Sequence, residues 1–179
     1  MAKLIAKTYG GALFELAAEN DKAEEYLAEF SAIRQIISVN PKFLRLMNHP
    51  QILKEEKIEA LKNVFKGRVS DELCGFLELL VIKDRFGDIE DIYAYFEAAV
   101  KESLGIGVVY VTTACVLTEI NKAHVMERLL EVTDYKTLEM HFAVDEQLIG
   151  GIVVRIGDRV ADSSIATQLN KLKKQLHSS

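Results

Sequence analysis

At Gly105 the hydrophobic period of this chain changes. Before it, apolar residues recur every three or four positions, the spacing of one helix face; after it, they begin to alternate, as in a half-buried strand. Residues 1–104 read as six helices. The first, near residues 2–19, carries Ile5, Tyr9, Ala12, Leu13 and Leu16. The second sets Tyr26, Leu27, Phe30, Ile33 and Ile37 on one side. Pro41 ends it and opens a short third helix through Leu44 and Met47, which stops before Pro50. The fourth holds Ile58, Leu61, Val64 and Phe65, with Gly67 as its C-cap. The fifth starts at Ser70 or Asp71, both good N-caps. The sixth shows Ile89, Ile92, Tyr93, Phe96, Ala99 and Val100.

Past the hinge Gly105-Ile106-Gly107, residues 108–114 are β-branched and aromatic, a strand. A helix over 117–132 follows. Then Leu138, Met140, Phe142 and Val144 face one way and Thr137, Glu139, His141 and Asp145 the other. Ile152, Val154 and Ile156 repeat the alternation. The chain closes on a helix striped by Ile165, Leu169, Leu172 and Leu176. The expected fold is α+β: a six-helix bundle over 1–104, then a small α/β domain over 105–179 with about three strands and two helices.

Several function classes find no support. A net charge of −5 opposes a nucleic-acid binder, which carries a basic footprint. No apolar run approaches the roughly 20 residues of a membrane span, and the N-terminus lacks a cleavable signal pattern. Cys74 and Cys115 are isolated, outside any zinc or disulfide spacing. There is no P-loop. Gly105 and Gly107 begin a dinucleotide fingerprint that Tyr110 breaks. The histidines (His49, His124, His141, His177) have no helical i,i+4 pairing, and His141 reads as a solvated strand residue. No catalytic residue, metal or cofactor is therefore expected.

The segment Leu148–Leu176 looks more like a site. Asp162, Ser163 and Ser164 stand where a helix N-cap belongs, and either Asp162 or Ser163 can satisfy an orphan N–H of its first turn. Gly157-Asp158 fits a tight turn, and Gly150-Gly151 lets the backbone bend before a strand. An anion at that helix terminus is the competing reading, and it would make the chain a small anion- or nucleotide-binding enzyme using the Gly150–Ser164 loop.

The fifth helix is apolar almost all round. Leu73, Phe76, Leu77 and Leu80 form one face, Cys74 and Val81 widen it, and Leu79 and Ile82 point away. Such a helix is either wholly buried or serves a second surface. In the first helix, Gly10-Gly11 costs helix stability while allowing another backbone close, and Phe14 lies off the main stripe. A groove between these helices suits an amphipathic partner helix, which an unrelated helical adaptor would also offer.

With these residues in view, the chain resembles the δ subunit of bacterial F-type ATP synthase, the relative of the mitochondrial oligomycin-sensitivity-conferring protein. The likeness rests on "YGGALFELA", on "FLELLVIKDRFGDIEDIYAYF" with Arg85 closing the fifth helix, and on Leu148 with Gly150-Gly151 followed by "RIGDRVADSSI". Gly151, Gly157, Asp158, Asp162 and Ser164 match that last pattern in order, while Ser163 stands where the family often has glycine. The resemblance implies a non-catalytic stator subunit of a proton-translocating enzyme, on the cytoplasmic face of the bacterial plasma membrane. Its bundle would grip the N-terminal helix of the α subunit between the first and fifth helices, at Ala6, Tyr9, Gly10, Leu13, Leu79 and Ile82. Its C-terminal domain would meet the C-terminal end of the b subunit, with Gly150, Gly151, Gly157, Asp158, Asp162 and Ser164 as scaffold.

Overall fold

The computed structural model describes the backbone of residues 2–177 and the side chains of residues 4–175. The chain forms two compact units, residues 1–100 and 101–179.

Six α-helices build the first unit: α1 (Ala2–Glu19), α2 (Ala23–Val39), α3 (Pro41–Met47), α4 (Lys54–Phe65), α5 (Asp71–Ile82) and α6 (Ile89–Ser103), whose last turn runs into the second unit. Proline opens α3 at its first turn, where its missing N–H costs nothing. Helices α1 and α5 both stop in Schellman geometry with an aspartate in the left-handed conformation. Asp21 has φ 53° and Asp84 φ 54°, and the following N–H groups of Lys22 and Arg85 return to Ala17 O and Leu80 O. Aromatic rings fill the core. Phe30 meets the rings of Phe76, Tyr93 and Phe96 at 5.3–6.2 Å between centroids, and Phe43 meets Phe65 and Phe86.

Three local expectations need correction here. The buried line of α1 is Ala6, Gly10, Leu13 and Ala17, one step round from the larger residues Ile5, Tyr9 and Leu16, which stay partly exposed. At Gly10 the inward residue is small because α6 packs close. A Cβ on Gly10 would lie 2.8 Å from Tyr95 Cδ1 and 3.0 Å from Ile92 O. In α4 the buried line is Lys57, Leu61 and Phe65, with Ile58 and Val64 at its margin. Ser70 does stand at the N-cap of α5, but its side chain caps nothing. Instead its N–H and its hydroxyl both donate to the Glu29 carboxylate, at 2.9 and 2.7 Å, tying α5 to α2.

The second unit holds a mixed sheet of four strands, β1 (Ile106–Thr113), β2 (Thr137–Val144), β3 (Ile152–Ile156) and β4 (Arg159–Asp162), in the order β2-β1-β3-β4. It also contains helices α7 (Glu119–Val132) and α8 (Ile165–His177). The fourth strand corrects the expectation of three. All four of its residues are exposed, so no burial pattern announces it; it is held by antiparallel pairing to β3. Strand β1 is central, parallel to β2 across the α7 crossover and antiparallel to β3. Thr118 caps α7 by accepting the N–H of Asn121.

Candidate functional site

Helix α5 divides its side chains as the sequence implied. Leu73, Cys74, Phe76, Leu77, Leu80 and Val81 are buried, while Leu79 is 40% and Ile82 46% exposed. Burial also pushes the Cys74 thiol upward in pKa, so it packs as a neutral group. Two half-exposed aliphatic residues three apart occupy one side of the helix. The opposite side anchors it to the core.

The other residues assigned to the groove are placed differently. Tyr9 is partly exposed, but Ala6, Gly10 and Leu13 are buried inside the bundle. The close approach that Gly10 permits is made by α6 of this chain, through Tyr95 and the Ile92 carbonyl. These three residues are buried and offer no exposed side-chain surface.

In the second unit the glycine-rich segment folds into a self-satisfied corner. Gly151 has φ 82°, and a Cβ there would collide with the Ser163 carbonyl. Gly150 lies under Ile165, whose N–H donates to the Gly150 carbonyl at 3.0 Å. Gly157, at φ 56°, and Asp158 join β3 to β4 in a two-residue hairpin; positive φ at the first position only is the type II′ pattern. The cap of α8 is Ser164, rather than Asp162 or Ser163. The Ser164 hydroxyl is buried and accepts the N–H of Thr167 at 3.2 Å. Asp162 braces the cap: its carboxylate accepts the Ser164 N–H at 2.8 Å and the Thr167 hydroxyl at 2.7 Å. These bonds, those to Ser164 first, hold the Asp162 carboxyl below its usual range. The chain's own oxygens thus occupy the helix terminus that an anion would need.

The histidines do not converge. His49 accepts the Gln51 N–H, and His141 stacks on Tyr110 at 5.0 Å and pairs with Glu139 at 3.0 Å. The side chain of His177 lies outside the described residues, as does that of Leu176, the last member of the α8 stripe. Among the described residues no group of three His, Cys, Asp or Glu is placed to hold a metal, and no helix is long and apolar enough to cross a membrane.

A sequence profile described as "ATP synthase delta (OSCP) subunit" matches residues 5–176. The chain belongs to this family. Among its relatives is an ATP synthase subunit delta of Lachnoclostridium phytofermentans, 45% identical over 98% of this chain and 97% of that one. Another, from Desulforamulus reducens, is 37% identical over 97% and 96%. The fold is shared with a chain of the Toxoplasma gondii mitochondrial ATP synthase hexamer, at a TM-score of 0.75 and 17% identity over 96% of both chains. The delta subunit is a structural component of the synthase and not a catalytic one.

Sequence reasoning missed one residue of interest. Lys57 is 4% exposed although charged. The signal was available, since Lys57 stands one helical step before Leu61 and Phe65 on the inward line of α4.

Proposed function

We propose that this chain is the stator coupling of a proton-translocating bacterial ATP synthase. Its helical unit binds the N-terminal helix of the α subunit, and its α/β unit binds the C-terminal end of the b subunit at the cytoplasmic face of the plasma membrane. Family membership supports the assembly. The observation that carries the α-subunit contact is the half-exposure of Leu79 and Ile82 on a helix whose other large apolar residues are buried. On α8, Ile165, Leu169 and Leu172 leave an apolar stripe between 43% and 55% exposed, which supports a helical partner for the second unit.

The work is mechanical. Torque on the rotor would turn the catalytic head unless something held it, so the holder needs affinity without chemistry. A nanomolar contact corresponds to about −12 kcal/mol. Each Leu-sized side chain that leaves water contributes about 1.5–3 kcal/mol before the costs of association. Several aliphatic contacts are therefore required, and Leu79 and Ile82 provide two of them from this side.

The test is calorimetric titration with a peptide of about 25 residues from the α-subunit N-terminus, a length suited to a groove-bound helix. Leu79→Glu and Ile82→Glu should each weaken binding at least tenfold while circular dichroism stays unchanged. Undiminished affinity in both folded variants would remove α5 from the interface.

A further inference from the structure

A cavity of about 360 Å³ opens between the α3–α4 connection and the end of α5. It is lined by Met47, Asn48, Pro50, Ile52, Lys54, Lys57 and Asp84. Its charges are unevenly matched. Lys54 Nζ donates to the Ile82 carbonyl at 2.6 Å and to Asp84 Oδ2 at 2.7 Å, placing a cation at the carbonyl end of α5, where the helix dipole favours it. That hydrogen bond holds the Asp84 carboxyl below its usual range. Lys57 adds to the same field but forms no hydrogen bond or ion pair among the described residues. Its stem is buried on the line of Leu61 and Phe65, and the residue lines the cavity, with its ammonium not shut away from solvent.

A lysine this deeply buried ordinarily has a partner. Asp84 feels the Lys57 charge, but its hydrogen bond goes to Lys54 at the rim, where it is 65% exposed. Asn48, an exposed residue, lines the same wall, and its side chain takes part in no described hydrogen bond. With two lysines against one aspartate the cavity carries a net positive charge, in a chain whose overall charge is −5. Its volume suits a small ligand and exceeds what one water fills.

We propose that this cavity is a binding site for a small oxyanion, a phosphate or a carboxylate, held by the unpaired Lys57 ammonium with the Asn48 amide and Lys54 beside it. The site adjoins the end of α5 that carries Ile82, but it does not depend on the assignment of that helix to the α subunit.

The full chain would be titrated in chloride-matched buffers with inorganic phosphate and, separately, with acetate and succinate, while the Lys57 side-chain Cε–Hε resonance is followed by NMR. Saturable one-to-one binding that moves the Lys57 resonance is expected. Phosphate alone would identify a tetrahedral anion as the ligand, and saturation by succinate or acetate would identify a carboxylate. Lys57→Met should weaken the binding at least tenfold, whereas Lys66→Met, at an exposed lysine outside the cavity, should not. The proposal is overturned if no anion saturates the folded wild-type chain. It is equally overturned if the bound anion leaves the Lys57 resonance unmoved, or if Lys57→Met, verified as folded, binds as well as the wild type.

Discussion

Ser164 and Asp162 show how much of the C-terminal corner depends on two oxygens. Replacing Ser164 with alanine removes a buried N-cap, and the expected loss is about 1 kcal/mol in the second unit, within the usual range of ~0.5–2. Chemical denaturation followed by a probe in the sheet checks this; an unchanged midpoint would contradict it. Asp162 adds a pH dependence whose sign is fixed by its lowered pKa. In the pH window below the ordinary aspartate value, the unfolded chain binds a proton that the folded chain does not. The stabilisation is therefore complete above that value, 3.8, and is lost as pH falls through the lower folded pKa. Asp162→Asn should have a lower unfolding midpoint than wild type at pH 7, and the gap should begin to narrow as pH falls below 3.8 towards 3. A gap that stays constant over that range would deny the carboxylate its role. The sequence pointed to Asp162 or Ser163 as the capping oxygen, whereas Ser164 caps the helix. The choice depends on where β4 ends, and β4 has no hydrophobic signal of its own.

At the scale of the helix, two adjacent glycines in α1 should respond oppositely to alanine. Helix propensity alone favours alanine at both by roughly 1 kcal/mol. At Gly11 the nearest atom to a new Cβ is Tyr95 Cε1 at 3.9 Å, so the gain should be realised. At Gly10 the Ile92 carbonyl stands 3.0 Å away, and backbone cannot swing aside as a side chain can. Overpacking of this kind costs about 1–3 kcal/mol, so Gly10→Ala should be net destabilising. Equal thermal shifts in the two variants would show that α6 does not press on α1 as described. Helix existence and order were legible here because the 3.6-residue period runs through every element of the first unit. The inward face of α1 was not, because hydrophobicity points to Ile5, Tyr9 and Leu16 while the buried line runs through Ala6, Gly10, Leu13 and Ala17. The exposure of Leu79 and Ile82 was legible, since α5 has more apolar residues than one face can bury. Lys57 was hidden by its charge, which reads as surface although its position reads as core.

For the whole molecule, the two units differ in how much they bury. The helical unit has a continuous core of aromatic and aliphatic side chains. In the second unit the buried residues among those described are Gly107, Val109, Val111, Thr113 and Ser164, and α7 contributes none. Less buried apolar surface means a lower free energy of opening. Hydrogen exchange should therefore show the sheet amides of residues 137–162 exchanging before those of α5 and α6. Uniform protection along the chain would contradict that ranking. A partner seated on the α8 stripe should slow exchange in the second unit, because binding to the folded form stabilises it. The change of period at Gly105 made the two kinds of structure visible in the sequence. Strand order was not visible, since pairing β1 with both β2 and β3 requires contacts that no local pattern encodes.

A stator has to hold two partners at once. The most direct measurement is native mass spectrometry of the full chain mixed with the α-subunit N-terminal peptide and the C-terminal segment of the b subunit. The account predicts a complex containing all three, from which Leu79→Glu removes only the α peptide. Mutually exclusive binding, or a folded chain that takes up neither partner, would contradict it.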